Sequence, residues 1–214
     1  MRLTNWLLIA AIQIIWQPLA MALEEPEYTV VETFDEFELR HYPPYLVAEV
    51  DVQGSFDEAG NDAFRILAGY IFGDNRSATK MNMTAPVESR PAESSEKMAM
   101  TAPVTAVASG DGQTTFAFVM ERKYTMQTLP APNDRRVRIR EMPERIMAVR
   151  RYSGRWTEGR YIQHLESLRA ALLQAGIEFV GEPILARYNS PFSLPMLRRN
   201  EVMLEVASGL PGRR

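Results

Sequence analysis

Two stretches of the sequence share one pattern and decide the fold: LRHYPPYLVAEVDVQGSFDE at Leu39–Glu58 and IREMPERIMAVRRYSGRWTE at Ile139–Glu158. They lie 100 positions apart and align without a gap. Chance would give about one identity in twenty positions. Five are identical, namely Arg40/Arg140, Pro43/Pro143, Ala48/Ala148, Gly54/Gly154 and Glu58/Glu158. A period this long does not fit a solenoid, so the sequence predicts two halves related by a pseudo-twofold axis.

Each half begins with a pattern typical of a strand, a tight turn, a second strand and a helix. Apolar residues alternate on both sides of Pro43-Pro44, which predicts two half-buried strands joined by a turn. The stretch Ser55–Glu58 is a capping box that predicts the start of the first helix. The second helix is expected over Thr157–Ala175, because Gly176 is a natural C-terminal cap.

Short β-like segments fill most of the remaining chain, at Thr79–Val87, Lys97–Val107, Thr114–Glu121, Pro183–Tyr188 and Glu201–Val206. Two helices against roughly eight strands predict an α+β fold with a largely antiparallel sheet, curved or closed into a barrel. No linker separates the halves. We therefore expect residues 23–214 to form a single domain, with the internal repeat over about 28–121 and 137–206.

Residues 1–22 have the layout of a secretory signal peptide. Arg2 precedes an apolar run from Trp6 to Trp16, and Ala20-Met21-Ala22 supplies the small residues of a cleavage site. The run is too short to span the ~30 Å of a bilayer's hydrocarbon as a helix. We expect cleavage after Ala22 and a periplasmic or secreted protein, with an uncleaved N-terminal anchor as the alternative.

Composition excludes several classes of function. The chain has no cysteine, so thiolate metal sites, cysteine nucleophiles and thioether-linked haem are excluded. A net charge of −3 is a poor match for a nucleic-acid-binding protein. No nucleophile elbow, phosphate-binding glycine loop or metal-spaced cluster occurs in the sequence, so we expect no enzyme.

The motif Lys-Met-x-Met-Thr-Ala-Pro-Val occurs twice, at Lys80–Val87 and Lys97–Val104. On a strand, both methionines of each copy would share one face. They would then form an apolar, polarizable wall suited to a flat ligand. These methionines are Met81, Met83, Met98 and Met100. The alternative is that the thioethers simply fill the core.

Two further features offer candidates for ligand binding. Ala59, Gly60 and Ala63 make one face of the first helix narrow, so either the sheet or a flat ligand can approach closely. His41 shares strand parity with the apolar residues of its strand and is expected to face the apolar side, where a neutral imidazole can ligate iron. His164, the other of the two histidines, lies at the edge of the apolar arc of the second helix and is typical of a boundary histidine.

Taken together, these motifs resemble the SOUL family of haem-binding proteins. The resemblance rests on Glu38–Pro43 (ELRHYP), the two Met-rich motifs, Phe118–Tyr124 (FVMERKY) and Arg198–Val202 (RRNEV). It implies duplicated βαββ halves that form a distorted antiparallel β-barrel flanked by two helices, similar to bacterial effector-binding domains. It also implies non-covalent, reversible binding of haem or a related tetrapyrrole, for buffering or carriage.

The resemblance places the ligand in an apolar cleft between the first helix and the loop before the last strand. Carried onto this sequence, those regions supply Phe64, Arg65, Leu67, Ala68, Ile71, Pro195, Met196 and Arg198. Arg65 falls on the polar face of the helix and would rim the cleft. His41 is the candidate metal ligand. We expect a monomer with a tetrapyrrole ligand, no nucleic-acid partner and no membrane span after signal cleavage.

Two alternatives stay open from the sequence. The first is a binding module for another amphipathic molecule or an organic cation, which a carboxylate such as Glu141 or Glu201 would hold in the groove between the halves. The second is a hydrolase that acts on a small molecule in the same groove.

Overall fold

The computed structural model describes residues 25–53, 56–77, 79–82, 84–91, 113–189 and 193–207. The predicted signal peptide, Ser55 of the predicted capping box, Met83 and the second Met-rich copy at Lys97–Val104 lie outside the described residues. Predictions that concern these segments stay predictions.

The described chain contains nine strands, two α-helices and one 3-10 turn, which confirms the α+β class. In chain order they are β1 (Thr29–Thr33), β2 (Glu38–Tyr42), β3 (Tyr45–Gln53), α1 (Phe56–Ile71), β4 (Val87–Pro91), β5 (Gln113–Val119), β6 (Arg138–Met142), β7 (Arg145–Tyr152), α2 (Glu158–Gln174), β8 (Phe179–Arg187), the 3-10 turn (Pro195–Leu197) and β9 (Asn200–Val206). Neither described helix combines the length and apolar character needed to cross a bilayer.

All nine strands belong to one antiparallel sheet, in the order β1-β2-β7-β9-β8-β4-β5-β3-β6. The predicted closed barrel is wrong, although the antiparallel sheet is confirmed. Among the described strands, β1 and β6 each pair with a single neighbour, so the sheet is open and ends at these two edges.

The strands on either side of Pro43-Pro44 pair with the other half of the chain. Tyr42 pairs with Arg145, and Tyr45 pairs with Met142, so β2·β7 and β3·β6 continue one register across the break. The predicted tight turn is therefore wrong. Proline has no backbone N–H to donate to a neighbouring strand. The two prolines interrupt the ladder of hydrogen bonds without reversing the chain.

The two helices cover one face of the sheet, which we call the helix face. Helix α1 packs on β3 and β5, and α2 packs on β7, β9 and β8. On the strands beneath each helix, every second side chain faces the helix, because strand side chains alternate between the two faces of a sheet. Apolar residues at these positions fill the space between helix and sheet. Leu67, Tyr70 and Ile71 contribute to the α1 core, and Leu165, Leu168 and Leu172 to the α2 core.

The first Met-rich copy is not a strand. Residues 79–82 and 84–86 have no regular structure, and β4 begins only at Val87. Met81 is 5% exposed and lies in the α1 core. Its thioether therefore fills the protein interior, and the predicted ligand-facing wall is wrong for this residue.

Helix α2 matches its prediction closely. Thr157 is its N-cap and Ala175 its C-cap, and Gly176 follows with a φ of 69°, in the left-handed region that favours glycine. This turn directs the chain into β8, which brings the last two strands beneath α2.

Candidate functional site

A fixed tryptophan lies on the helix face, next to the 3-10 turn. The Trp156 indole Nε1 donates a hydrogen bond of 2.7 Å to Asn200 Oδ1. Asn200 is fully buried, and its Nδ2 donates in turn to the Gly154 carbonyl at 3.3 Å. A buried amide therefore holds one edge of the indole, and the Trp156 side chain is half-buried.

Two guanidinium groups lie against this indole. The Cζ of Arg198 is 4.7 Å from the ring centroid, and the Cζ of Arg187 is 5.1 Å from it. Arg187 also reaches α1, where its Nη1 lies 3.7 Å from the position a Cβ on Gly60 would occupy. Gly60, Arg187, Trp156 and Arg198 thus follow one another from α1 to the end of the 3-10 turn, and we call the region that they define the Trp156 cleft. The sequence analysis did not identify Arg187 or Trp156 as site residues.

Helix α1 presents only part of its predicted site to this cleft. Phe64 is 43% exposed, and its ring packs edge-on against Phe118 at 5.6 Å. Arg65 is exposed and pairs with Asp62 on the same helix at 3.1 Å, which agrees with the expected rim position. The other three predicted residues are buried in or near the core, with exposures of 0% for Leu67, 0% for Ile71 and 8% for Ala68. They support the helix and do not line an open cleft.

The 3-10 turn presents apolar side chains to solvent. Leu194, Met196 and Leu197 are 60%, 72% and 71% exposed. Backbone hydrogen bonds fix the turn, from Leu197 N to Leu194 O at 2.9 Å and from Gly154 N to Pro195 O at 3.0 Å. Exposed apolar side chains grouped on a fixed segment are typical of a binding surface.

His41 was expected to face the apolar core, but it does not. It has the predicted strand parity, but its side chain is 34% exposed and its Nε2 lies 2.6 Å from Glu144 Oε1. It is also distant from the Trp156 cleft. His41 pairs with Ile146, whereas Asn200 pairs with Tyr152, six positions further along β7. At about 3.3 Å per residue this separation is about 20 Å. Ligation of a metal by His41 stays a prediction.

His164 is a boundary histidine, as its place on α2 predicted. Its ring stacks on Tyr152 at 4.0 Å, and Arg150 Nε donates to its Nδ1 at 3.4 Å. Burial lowers the pKa of His164, and the charges of Arg150 and Arg160 lower it further. In the part of the chain that the structure describes, no three histidine, aspartate or glutamate side chains are arranged to hold a metal ion.

The opposite, helix-free face of the sheet buries a charged cluster around Glu201, which is 0% exposed. Its carboxylate accepts from Arg40 Nη1 at 3.1 Å, from Arg199 Nε at 2.9 Å and from the Tyr188 hydroxyl at 2.7 Å. The two guanidinium groups also stack on tyrosines, Arg40 on Tyr28 and Arg199 on Tyr188. The carboxylate is thus neutralised by the chain itself.

A second buried carboxylate, Glu88, lies on the same face. It accepts a hydrogen bond from the Tyr45 hydroxyl at 3.1 Å, and Arg145 Nη2 donates to that hydroxyl at 2.7 Å. Burial raises the pKa of Glu88, while the charge of Arg145 opposes the rise. The nearby cavity, lined in part by Glu49 and Arg140, has a volume of about 10 Å³, which is room for about one water molecule.

These contacts bear on the open alternatives. Glu141 is exposed, and its role as a groove carboxylate stays a prediction. Glu201 is buried as a groove carboxylate should be, but an organic cation could bind it only by displacing Arg40 or Arg199.

Comparison with known proteins gives relatives over most of the chain. "Heme-binding protein 2" of Mus musculus is 29% identical over 191 residues, covering 86% of this chain and 86% of that protein. "Heme-binding protein 2" of Homo sapiens is 28% identical over 195 residues, covering 86% and 87%.

Two solved structures share the fold at low sequence identity. The C-terminal domain of EcmrR has a TM-score of 0.57 at 10% identity, over 84% of this chain and 98% of that one. A hydrolase from Listeria innocua has a TM-score of 0.52 at 12% identity, over 83% and 94%. Residues 23–205 match the sequence model of the family described as "SOUL heme-binding protein". The chain belongs to the SOUL heme-binding protein family.

Proposed function

We propose that this protein binds haem or a related tetrapyrrole non-covalently and reversibly in the Trp156 cleft, as a buffer or carrier. Family membership supports a tetrapyrrole ligand. The observation that supports the site assignment is the exposure of Phe64 on α1 and of Met196 and Leu197 on the 3-10 turn, the two elements that the Trp156 cleft connects. A porphyrin is flat and apolar over its faces, and covering apolar surface stabilises its complex by about 25 cal/mol for each Å² buried.

The residues of the cleft have different roles in the proposed binding. Phe64 and Met196 supply apolar contacts, and the soft Met196 thioether adapts to a flat ring. Arg198, with Arg65 at the rim, supplies positive charge for the carboxylates of the ligand. Leu67, Ala68 and Ile71 hold α1 in place from below. Haem supplies the iron and the planar apolar surface when it is bound, and without cysteine it is held with no covalent link.

Axial ligation by His41 is a separate proposal. The separation of about 20 Å along β7 means that His41 would ligate a haem bound elsewhere than in the Trp156 cleft. His41→Ala tests this directly. A Soret band and affinity identical to those of the parent protein would remove His41 as a ligand.

Export is also a proposal. We expect protein recovered from the periplasm or the medium to begin at Leu23. Full-length chain retained in the inner membrane would contradict cleavage.

Size-exclusion chromatography with light scattering of the recovered protein tests the expected monomer.

A hemin titration tests the proposed site. We expect a saturable Soret shift together with quenching of Trp156 emission, because haem absorbs where tryptophan emits. The Trp156→Phe variant identifies the part of the quenching that comes from this ring. Phe64→Asp and Met196→Asp should each weaken binding about 10- to 100-fold, since an unpaired carboxylate against an apolar ligand costs a few kcal/mol to desolvate.

Leu173→Asp is the matched control. Leu173 is 72% exposed, as Met196 is, but it lies near the end of α2. Its replacement should leave the affinity for hemin unchanged. Equal weakening by Leu173→Asp and Met196→Asp would contradict the site, and no Soret shift at micromolar protein would contradict haem binding itself.

A further inference from the structure

We infer that Asn200 is a positioning residue for the proposed haem site, because its buried side chain holds both Trp156 and the 3-10 turn in place. This inference rests on the proposed function. Asn200 has no contact with the ligand in this assignment. It acts through two neighbours, the indole of Trp156 and the backbone of Gly154, and each neighbour leads to a different part of the Trp156 cleft.

The place of Asn200 in the sheet allows one side chain to link separate segments. Asn200 is the first residue of β9 and is 0% exposed. Its backbone pairs with Tyr152 of β7 and with Arg187 of β8. The 3-10 turn precedes it in the chain, and Gly154 and Trp156 follow β7. The Asn200 amide therefore lies where the turn and the segment after β7 meet.

The orientation of the Asn200 amide follows from the chemistry of its two partners. The Trp156 Nε1–H can only donate, and it donates to Asn200 Oδ1 at 2.7 Å. The Gly154 carbonyl can only accept, and Asn200 Nδ2 donates to it at 3.3 Å. An amide satisfies both partners at once. An ionised carboxylate cannot make the second bond, and an apolar side chain makes neither.

Gly154 connects this amide to the 3-10 turn. Its N–H donates to the Pro195 carbonyl at 3.0 Å, while its own carbonyl accepts from Asn200. The exposed side chains of Met196 and Leu197 follow Pro195 directly. Because these two side chains extend into solvent, the position of the turn depends on the hydrogen bonds of its backbone, and Asn200 fixes the residue that makes one of them.

Trp156 connects the same amide to the other side of the cleft. The indole has the guanidinium groups of Arg198 and Arg187 against it, with each Cζ about 5 Å from the ring centroid. These contacts depend on where the ring lies. Without the bond to Asn200, the half-buried indole N–H loses its partner, and the ring can turn about its side-chain bonds.

A site that is ordered before binding holds its ligand more tightly. Fixing mobile side chains during binding costs affinity, whereas groups that are already fixed do not incur this cost. Loss of the Asn200 amide would loosen the indole and the turn together. Differences in affinity between variants of one site arise mainly in the rate of release, so we expect faster release of hemin.

The test measures the order of the indole and the release of hemin in the full chain. Replacing Trp6 and Trp16 by phenylalanine leaves Trp156 as the single tryptophan, so emission anisotropy and near-ultraviolet circular dichroism report this ring alone. Asn200→Ala should lower both signals in the absence of hemin and release hemin about tenfold faster than the parent protein. Asn200→Asp keeps an acceptor for the indole but has no donor for Gly154. It should retain the indole signals and release hemin at an intermediate rate, even if Asn200→Ala folds poorly.

Asn75→Ala is the matched control. Asn75 is 3% exposed, and its Nδ2 donates to the backbone carbonyls of Tyr70 at 3.1 Å and Thr79 at 2.7 Å. It lies beyond the end of α1, so its loss should lower stability but change neither the indole signals nor the release of hemin.

Three results would overturn the positioning role of Asn200: unchanged indole signals in Asn200→Ala, unchanged release of hemin from it, or equal acceleration of release by Asn75→Ala. A parent protein that does not bind hemin would instead overturn the proposed function, and the role of Asn200 in haem binding with it.

Discussion

Replacement of Glu201 by glutamine tests whether the charged cluster on the helix-free face is structural. Glutamine keeps the size of the side chain and one acceptor oxygen, but it removes the negative charge. Arg40, whose side chain is only 5% exposed, then loses its buried counter-charge and keeps the partly exposed Glu38, 2.8 Å from its Nε. Arg199 is better placed to adapt, because it is 19% exposed and also pairs with Glu25 at 2.9 Å.

The expected loss of stability follows from this geometry. Removal of one partner of a buried ion pair costs about 3–5 kcal/mol, because the remaining charge is left uncompensated. Since glutamine still accepts one hydrogen bond, Arg40 keeps Glu38 and Arg199 keeps Glu25, we expect the lower end, about 3 kcal/mol. That loss is a large part of a typical free energy of unfolding of about 5–15 kcal/mol.

Urea unfolding followed by circular dichroism measures the loss. Asp62→Asn is the control, because its pair with Arg65 is exposed and should contribute less than about 1 kcal/mol. Simultaneous replacement of Arg40, Glu201 and Arg199 by apolar residues should recover most of the stability, because an entire buried network can be exchanged at little cost. A loss below about 1 kcal/mol for Glu201→Gln would refute a buried, mutually neutralised cluster.

Four further predictions concern stability. The pKa of His164 is lowered by burial and by Arg150, so the unfolded chain binds the proton more tightly, and the free energy of unfolding should fall as the pH drops below 6.5. His164→Gln should reduce that fall in urea titrations across this range. Leu67→Ala removes a side chain that is 0% exposed and should cost about 2–5 kcal/mol, seen as a lower Tm. Gly176→Ala should destabilise by about 1–2 kcal/mol, because its φ is 69° and nothing lies within 4 Å of the added methyl. Gly69→Ala in α1, with equally open space, should instead stabilise by about 0.5–1 kcal/mol.

Local patterns predicted most elements of this fold, although not β1, and they did not predict its pairings. Alternation over β2 and β3 depends only on the two-residue period of a strand, so both strands were recognised. Which strands pair is decided by the whole sheet. The Pro43-Pro44 pair indicates an interruption, and an interruption is compatible both with a hairpin and with a strand that continues against the other half.

The site residues illustrate the same distinction. The helical period puts Phe64, Leu67 and Ile71 on one face of α1, and the family-based assignment grouped all three in one cleft, so neither predicted that Phe64 is 43% exposed while the other two are 0% exposed. His41 has the predicted strand parity, yet its side chain is 34% exposed. How far a helix extends over a strand depends on the whole fold, so the local sequence pattern could not predict this exposure. No local sequence pattern identified Arg187. Its contact with Trp156, which lies 31 positions earlier in the sequence, forms only in the folded protein.

The two faces of the sheet distribute charge and apolar surface in opposite ways, and this favours a tetrapyrrole over an organic cation. On the helix-free face, Glu201 is already bound by two arginines, so an incoming cation must first break a buried ion pair. That step costs several kcal/mol before any new contact forms. At the Trp156 cleft, Phe64 and Met196 already contact solvent, so a flat apolar ligand covers exposed surface without opening the core. Hemin should therefore bind at micromolar concentrations at which a panel of hydrophobic cations does not bind.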